Sequence, residues 1–318
     1  MSAFIDERRG DFGVEPICRA LGVSASAYYQ RKAGQPSARA VEDERLLERI
    51  RVEHKRNWEA YGYRRMWKHL LREGEWVPRC QIQRLMRAHG IQGAKRRGKP
   101  WRTTRADLDA KPRPDLLERD FTASRPNARW VADFTYLRCL EGTVFFAFIL
   151  DVYSRMLVGW QAASHMRDTL VIDALEMAVA ARNPDPELEL VHHSDRGSQY
   201  SSGDFTDALA DHDILASVGS TGDAYDNAMA ESFVDTLKTE LMADRRWRSR
   251  GQLELALVRW VGWYNNHRLH SELGDIPPVE FEFARQLQTL NSADLDERPY
   301  GPLLSTAGQA AQTKEVAT

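Results

Sequence analysis

The sequence predicts an α/β protein in which a mixed five-stranded sheet with helices follows a small all-α domain. Apolar residues recur at helical spacing in residues 39–94, whereas β-rich segments begin at residue 129. The length of 318 residues also favours more than one domain, since a domain usually holds about 100–200 residues. We therefore expect a helical domain in front of a sheet domain.

The charge of the chain is divided unequally between its two parts. Residues 1–128 hold 28 Lys and Arg against 17 Asp and Glu, and the remaining residues hold 16 against 29. Residues 45–105 alone contain 18 basic and 5 acidic side chains. Such a local surplus is typical of a segment that binds a polyanion such as DNA. An ordinary solvated surface is the weaker interpretation.

Composition places the chain among soluble globular proteins, with 42% hydrophobic and 28% charged residues. No apolar run approaches the roughly 18 residues that span a bilayer, and the first ten residues lack the apolar core of a secretory signal. We expect a cytoplasmic protein without a membrane partner. Three distant cysteines exclude a disulfide framework and a cysteine-rich zinc site.

The first predicted element is a partial helix-turn-helix-like segment over residues 1–38. Within V-E-P-I-C-R-A-L-G-V-S-A-S-A-Y-Y-Q-R-K at 14–32, Gly22 can make a turn and Ser24 can cap a second helix. An ordinary helical hairpin explains the pattern nearly as well.

The second predicted unit is a helical DNA-binding domain over residues 39–94. Its three amphipathic helices are marked by Leu46–Val52, Met66–Leu71 and Ile82–Met86, with breaks near Gly74 and Gly90. The arginines predicted to contact DNA phosphates or bases, each of which can also be merely solvated, are Arg64, Arg65, Arg79, Arg84 and Arg87.

A basic linker is predicted over residues 95–125. It opens with K-R-R-G-K-P-W-R at 95–102, a dense run of cations with one aromatic residue. We interpret it as an extended segment that follows a phosphate backbone. The predicted DNA contacts in it are Lys95, Arg96, Arg97, Lys99 and Arg102.

The third predicted unit, residues 126–290, is the sheet domain. Three β-rich segments follow one another with turns at 141–142 and 154–155, as in an antiparallel meander. The order continues with a helix at about 168–182, a strand at 187–195, a helix near 204–212, a strand at 214–218 and a further helix. This order fits a mixed sheet covered by helices and is the one used by RNase H-like folds. Residues 291–318 are predicted to form a disordered tail.

Three acidic motifs in this domain predict a metal site: W-V-A-D-F-T-Y around Asp133, H-H-S-D-R-G-S-Q-Y around Asp195 and D-N-A-M-A-E-S-F around Glu231. Magnesium prefers carboxylate oxygens, and two ions can clamp an in-line displacement at phosphorus. Histidine or cysteine would favour softer metals. The alternatives are a salt-bridged Asp133 and an Asp195 that only forms the turn before Gly197.

Several neighbours of the acids are predicted to support them. Lys238 lies seven residues after Glu231, so on a helix it returns to nearly the same face about 10 Å further along and can hold a substrate phosphate; an ordinary exposed lysine is the alternative. His193 shares the strand face of Asp195 and can orient a nearby group. Gln199 and Asn227 are expected to touch the DNA end or to brace loops.

The aromatic stretch near the end of the domain has two interpretations. Trp260 and Trp263 are expected to pack a helix against the core, whereas Arg268 and His270 can reach DNA. His192, on the strand face opposite to that of His193, is expected in the core rather than at a metal.

The three acidic motifs, together with W-Y-N-N-H-R-L-H-S-E-L-G at 263–274 and P-P-V-E-F at 277–281, resemble the integrase-type DDE transposases of the insertion sequence three (IS-three) family. The resemblance covers residues 14 to about 283. It implies an RNase H-like integrase catalytic core, related to that of retroviral integrases, with Asp133, Asp195 and Glu231 as the metal-binding triad. The implied cofactor is a pair of Mg²⁺ ions, with Mn²⁺ as a substitute.

The resemblance also implies an activity and partners. The activity is metal-dependent cleavage and strand transfer of DNA at the ends of a mobile element. The partners are double-stranded DNA of the element ends and of the target, further copies of the chain in a homo-oligomer, and the product of an upstream reading frame. An RNase H-like nuclease without joining activity and a catalytically silent DNA-binding regulator are the alternatives.

Overall fold

A computed structural model of the chain describes most of the helical front and of the sheet domain. The described residues are 1–34, 36–95, 122–195, 197–218, 228–243 and 245–296, with the backbone alone for 291–296. The predictions for the basic linker over residues 96–121, for Asn227 and for the tail after residue 296 lie outside the described residues. The predicted start of the disordered tail at residue 291 was wrong, because residues 291–296 continue a helix.

The chain begins with three short helices that share a small apolar core around Ile5, Cys18 and Tyr28. Their bounds are Ser2–Phe12 (α1), Val14–Ala20 (α2) and Ala25–Lys32 (α3). Gly22 adopts a φ of 65°, and the Ser24 hydroxyl accepts a hydrogen bond from the Ala27 N–H at the start of α3. The predicted turn and cap between α2 and α3 are therefore confirmed.

The three predicted amphipathic helices follow, and all three are confirmed. They are Ala38–Arg56 (α4), Tyr63–Arg72 (α5) and Arg79–Ala88 (α6). Ser37 caps α4 by accepting from the Ala40 N–H. Gly74 and Gly90, just beyond α5 and α6, have φ of 82° and 66°, which glycine adopts without the strain that a side chain would add.

The sheet has five strands in the order β3-β2-β1-β4-β5. They are Arg129–Cys139 (β1), Gly142–Asp151 (β2), Leu157–Ala163 (β3), Val191–Ser194 (β4) and Leu215–Val218 (β5). The first three form the predicted antiparallel meander, and β4 pairs in parallel with both β1 and β5. The mixed sheet predicted from the sequence is confirmed.

The predicted start of the fourth strand was wrong. Residues 187–190 precede β4, and Pro186–Leu188 form a 3₁₀ turn. The turn forms because Asp185 accepts a hydrogen bond from the Glu187 N–H and because the proline ring fixes the backbone angle φ. Local turn chemistry therefore overrides the β-rich pattern of this segment.

Five helices complete the described sheet domain. Their bounds are Asp168–Arg182 (α7), Gly203–Asp211 (α8), Ala228–Leu237 (α9), Arg250–Asn266 (α10) and Pro278–Asp296 (α11), and a π-helical turn, Lys238–Met242, extends α9. On one face of the sheet, Trp130 and Ala132 pack with residues of α7 and α8. On the other, Val131 and Leu137 pack with residues of α9 and α10. No helix in the described ranges is both long and apolar enough to cross a membrane.

The helices α4 to α6 pack directly against the sheet domain. Leu46, Met66 and Ile82 belong to the same apolar cluster as α10. The Trp263 indole donates to the Asn57 amide oxygen at 3.1 Å, and the Tyr61 hydroxyl donates to a backbone carbonyl just after α10 at 3.2 Å. The predicted DNA-binding helices are thus joined to the domain that carries the acids by buried contacts.

We predict that Gly159→Ala destabilises the protein. A Cβ at Gly159 on β3 would lie 2.2 Å from the Ala174 carbonyl oxygen of α7, so the helix would have to move away from the sheet. Overpacking of this kind costs about 1–3 kcal/mol or more. The measurement is the free energy of unfolding in urea.

The matched control is Gly262→Ala on α10, where an added Cβ has nothing within 4 Å. Alanine within a helix is favoured over glycine by about 0.5–1 kcal/mol, so this variant should be slightly stabilised. Equal unfolding free energies for the two variants would contradict the packing of α7 on β3.

Candidate active site

Asp133 is a buried carboxylate in the middle of β1, with 6% of the residue exposed. It lies on the strand face shared by Val131 and Leu137, which packs with α9 and α10. Burial raises the pKa of Asp133 well above its usual range, and the negative charges of Asp195 and Glu231 raise it further. The N–H of Phe134 donates to the Asp133 carboxylate at 2.7 Å and opposes this shift.

Asp195 follows directly after β4, the strand next to β1. The parallel register pairs Val131 with His193, and two residues further along these chains come Asp133 and Asp195. The parallel pairing thus explains why the two carboxylates influence each other. The N–H of Gly197 donates to Asp195 at 3.0 Å, so the turn role considered as an alternative is also present.

Glu231 lies in the first turn of α9 and is exposed. Its pKa is raised by partial burial and then by the charge of Asp235 on the next turn. Within the described part of the chain, no group of three or more His, Cys, Asp or Glu side chains lies close enough together to hold a metal ion. The structure therefore brings Asp133 and Asp195 together and leaves Glu231 as a more distant electrostatic neighbour of Asp133.

Lys238 is a half-buried cation close to these acids. It begins the π-helical turn after α9, and its Nζ atom lies 5.0 Å from the centre of the Tyr136 ring on β1. Burial lowers the pKa of Lys238, whereas the charges of Asp133 and Asp235 raise it. The alternative of an ordinary exposed lysine is therefore wrong.

The two histidines before Asp195 lie on opposite faces of β4, as predicted. His193 Nδ1 is 2.9 Å from the Ser217 hydroxyl of β5, and both residues are buried. His192 packs its ring against Phe205, and burial lowers the pKa of His192 to about 3, so the ring is neutral at physiological pH. His193 joins the strand that leads to Asp195 to its neighbour, and His192 belongs to the core.

Two further side chains border the loop after Asp195. Tyr200 is buried, and its pKa is raised well above its usual range by burial and then by the charges of Asp133 and Asp195. The Gln199 amide donates to the Met166 carbonyl at 3.2 Å, which braces the loop in this structure.

Thr135 is a polar residue near the acids that was not singled out from the sequence. It is buried on β1, two residues after Asp133 and on the same face, and within the described ranges its hydroxyl has no hydrogen-bond partner. Side chains alternate between the two faces of a strand, so the two-residue separation from Asp133 could have identified Thr135 from the sequence. The interacting carboxylates of Asp133 and Asp195, together with this unsatisfied hydroxyl, form a set of oxygen donors. Such a set fits a hard divalent cation such as magnesium.

The cations predicted to contact DNA divide into two groups. Arg64, Arg79, Arg87 and Lys95 are exposed. Arg84 is also exposed but pairs with Asp43 at 2.6 Å, and the half-buried Arg65 lies 3.6 Å from the Glu240 carboxylate of the sheet domain. The exposed cations that form no ion pair with a described residue are the ones available to a polyanion in this structure.

Arg268 and His270, which were expected to reach DNA, are buried rather than exposed on the surface. The Arg268 guanidinium donates to both oxygens of Glu240 at 2.8–3.1 Å. A buried carboxylate needs such a partner, since an unpaired charge in the interior is costly. Trp260 and Trp263 pack in the core, which confirms the expectation for them.

Comparison with known proteins identifies relatives along most of the chain. Residues 123–224 and 212–278 match families described as integrase core domain, and residues 41–99 match an HTH-like domain. The transposase for insertion sequence element IS629 of Shigella sonnei is 45% identical over 289 residues, which cover 89% of this chain and 96% of that protein. A putative transposase for insertion sequence element IS986/IS6110 of Mycobacterium tuberculosis (strain CDC 1551 / Oshkosh) is 44% identical over 84% of this chain and 98% of that protein.

A solved structure of the HTLV-2 integrase catalytic core domain in complex with magnesium, in its trimeric form, superposes with a TM-score of 0.41 at 13% identity. The superposition covers 51% of this chain and 99% of that one.

We predict that Asp133→Asn stabilises the metal-free protein at neutral pH. Because the folded-state pKa of Asp133 is raised, the folded protein keeps a proton that the unfolded chain releases near pH 4, and stability falls as the pH rises from there towards the folded-state pKa. Removing the ionisable group should therefore raise the free energy of unfolding at pH 7 and change it much less at pH 4.

The measurement is urea unfolding in the presence of a chelator at pH 4 and pH 7. Asp204→Asn, a change at an exposed residue of α8, is the control and should behave as the wild type. If Asp133→Asn gave the same change in unfolding free energy at both pH values, the charge of Asp133 would not be the cause.

Proposed function

Because the chain belongs to the insertion sequence three (IS-three) family of transposases, we propose that Asp133, Asp195 and Glu231 catalyse its DNA cleavage and strand transfer. Proteins of this family transpose DNA, and an integrase core domain makes the chain a polynucleotidyl transferase. The observation that supports the proposal best is the pair of interacting carboxylates on neighbouring strands, Asp133 and Asp195. Two like charges in a buried site are costly unless a cation compensates them.

The acids would hold two divalent cations, Mg²⁺ or Mn²⁺ in its place. The buried Asp133 and the half-buried Asp195 would supply oxygen ligands, and Glu231 would join them from the first turn of α9. The chemistry supplied by the bound cations is charge neutralisation at the scissile phosphate and a lower pKa of the attacking oxygen. Magnesium is commonly held by one or two carboxylates together with substrate phosphates, so Glu231 need not lie in a ready-made cage.

The protein's own side chains position the substrate around these acids. Lys238 presents a half-buried ammonium near Asp133, where it can bind a nonbridging phosphate oxygen of the DNA end. Contact with the Tyr136 ring limits its freedom, which lowers the entropy lost on binding. The bond between His193 and Ser217 holds β4 to β5 and so fixes the strand from which Asp195 emerges. Positioning and charge stabilisation of this kind dominate phosphoryl transfer.

The exposed cations of the helical front would bind the element end. Arg79 and Arg87 on α6 and Arg64 on α5 are free to contact phosphates or base edges, and Lys95 leads into the basic segment 96–102. Synapsis of two ends and a target duplex calls for a homo-oligomer. Association with the product of an upstream reading frame and a cytoplasmic location complete the proposal. Membership of the family does not favour a joining-deficient nuclease or a silent regulator.

We predict that Asp133→Asn, Asp195→Asn and Glu231→Gln each reduce strand transfer by about a thousandfold or more. A bound cation contributes several kcal/mol to stabilisation of the transition state, and each 1.4 kcal/mol corresponds to a factor of ten. The measurement is joining of a labelled element end to plasmid DNA in magnesium.

Asp204→Asn removes a carboxylate from an exposed position of α8 and should leave joining at the wild-type rate. Binding of the element end should stay within a few-fold of the wild type in all four variants. Joining retained by any one of the three acid variants would refute the assignment of that acid.

We predict that the double substitution Arg79→Gln and Arg87→Gln weakens binding of the element end by roughly tenfold or more at low salt. Loss of two phosphate contacts should also lower the slope of log affinity against log salt concentration by about two. The measurement is fluorescence anisotropy over a range of salt concentrations.

Arg84→Gln on the same helix is the matched control, because its guanidinium is already paired with Asp43. It should change neither the affinity nor the slope appreciably, since an exposed ion pair contributes little. An equal loss of affinity in Arg84→Gln would show that the effect follows from the charge of α6 as a whole.

A further inference from the structure

A polar cavity of about 250 Å³ lies between the helical front and the sheet domain, and neither Asp133 nor Asp195 lines it. Its polar lining comes from α5 through Arg65, from the turn after β2 through Arg155, from α9 through Ser232 and Thr236, and from the segment after α10, while β2 and α10 add apolar and aromatic side chains. Its volume is below the 300–1,000 Å³ that is typical of sites for drug-sized ligands. The cavity therefore suits a small group rather than a large organic ligand.

The cavity is positively charged. Three arginines, Arg65, Arg155 and Arg268, line it together with one acid, Glu272. Their convergence is evident at His270, where burial and then the charges of the three arginines lower the pKa to about 2. The imidazole of His270 is therefore neutral at physiological pH, and the positive charge of the cavity comes from the guanidinium groups.

The three arginines differ in how far they are already engaged. Arg268 is held by Glu240 in a bidentate pair, and Arg65 lies 3.6 Å from the same carboxylate. The guanidinium of Arg155 makes no hydrogen bond or ion pair with any residue that the structure describes. The Glu240 carboxylate thus compensates the charges of two of the arginines, and Arg155 remains available to an anion.

The backbone that carries Arg155 is held firmly in place. The buried Asp151 carboxylate accepts hydrogen bonds from the N–H groups of Tyr153 and Ser154, and the Arg155 N–H donates to the Asp151 carbonyl at 2.9 Å. Arg155 itself has a φ of 61°, a conformation that residues other than glycine seldom adopt. A fixed turn presents Arg155 at little further entropic cost on binding.

We infer that this cavity binds a phosphate group, with Arg155 as its principal ligand and Arg65 and Arg268 as supporting charges. Arginine forms paired hydrogen bonds to phosphate oxygens, and the hydroxyls of Ser232, Thr236 and Ser271 line the same space. The position of the cavity favours a phosphate of the DNA backbone over a free phosphate. This source rests on the proposed function, whereas the phosphate chemistry does not.

A phosphate in this cavity would connect two parts of the molecule. It would touch α5 of the HTH-like domain at Arg65 and α9, which carries Glu231, at Ser232. Binding of DNA by the helical front would thereby stabilise the position of the helix that supplies the third acid. The cavity would act as a positioning site and not as a part of the reacting centre.

The test uses the full-length chain and the variant Arg155→Gln. The matched control is Arg259→Gln, which removes an exposed arginine of α10 that does not line the cavity. Titration calorimetry with sodium phosphate and with pyrophosphate measures binding of the bare group. Fluorescence anisotropy with a labelled duplex of the element end measures binding of DNA.

We expect Arg155→Gln to lose phosphate and pyrophosphate binding, and to weaken DNA binding about tenfold or more with a salt slope lower by about one. Arg259→Gln should match the wild type in the calorimetric assay and bind DNA within a few-fold of it. Loss of phosphate binding with unchanged DNA affinity would support the site and identify a free phosphate as its occupant. Equal behaviour of Arg155→Gln and Arg259→Gln with both probes would overturn the inference.

A second variant distinguishes loss of phosphate binding from a folding defect in Arg155→Gln. Ser271→Asp places a carboxylate at an exposed position of the cavity lining and should repel the same anion, with the thermal unfolding temperature checked in parallel. The inference and the proposed function can fail separately. If the wild type joins DNA but neither Arg155→Gln nor Ser271→Asp changes binding of either probe, the phosphate site is overturned and the proposed function stands. If phosphate binds but no joining occurs, the proposed function is overturned and the phosphate site stands.

Discussion

The repulsion between two carboxylates, the buried Asp133 and the half-buried Asp195, is the constraint on which the catalytic site depends. Burial alone makes an ionised Asp133 unfavourable, and the neighbouring charge of Asp195 increases this cost. The fold tolerates the cost because β1 and β4 are interior strands of the sheet and because β1 is packed on both faces. A site that is unfavourable without a cation is one that a cation stabilises, and this links the stability of the fold to its proposed chemistry.

The negative charge of a second buried acid, Glu240, is instead compensated by the protein's own arginines. It lies in the π-helical turn after α9, where Arg268 binds it directly and Arg65 approaches from the HTH-like domain. The charge of Glu240 is thus paired within the protein, whereas the buried Asp133 carboxylate has no arginine partner among the described residues. Glu240 therefore joins two domains, and Asp133 differs from it in having its charge open to a ligand. Both lie on the side of the sheet covered by α9 and α10, so domain contact and the proposed chemistry share one set of helices.

Much of this organisation follows from local patterns in the sequence. Ser24, Ser37 and the glycines at 22, 74 and 90 act where caps and turns were expected, because their effect depends only on neighbouring backbone. The positions of Asp133 and Asp195 on adjacent strands also agree with the predicted strand order. What sequence patterns did not reveal depends on contacts between distant elements. Arg268 and His270 look like surface residues until Glu240 and Tyr264 are placed beside them, and the engagement of Arg65 requires knowledge of how two domains dock.

The central claim is that Asp133 and Asp195 together bind a divalent cation, and manganese binding tests it most directly. Electron paramagnetic resonance of Mn²⁺ at neutral pH would give the affinity of the wild type, of Asp133→Asn and of Asp195→Asn, without any need for DNA or turnover. The account predicts measurable binding by the wild type and an affinity at least about tenfold lower in each variant, since each loses a charged ligand. Equal affinities in all three proteins would contradict it.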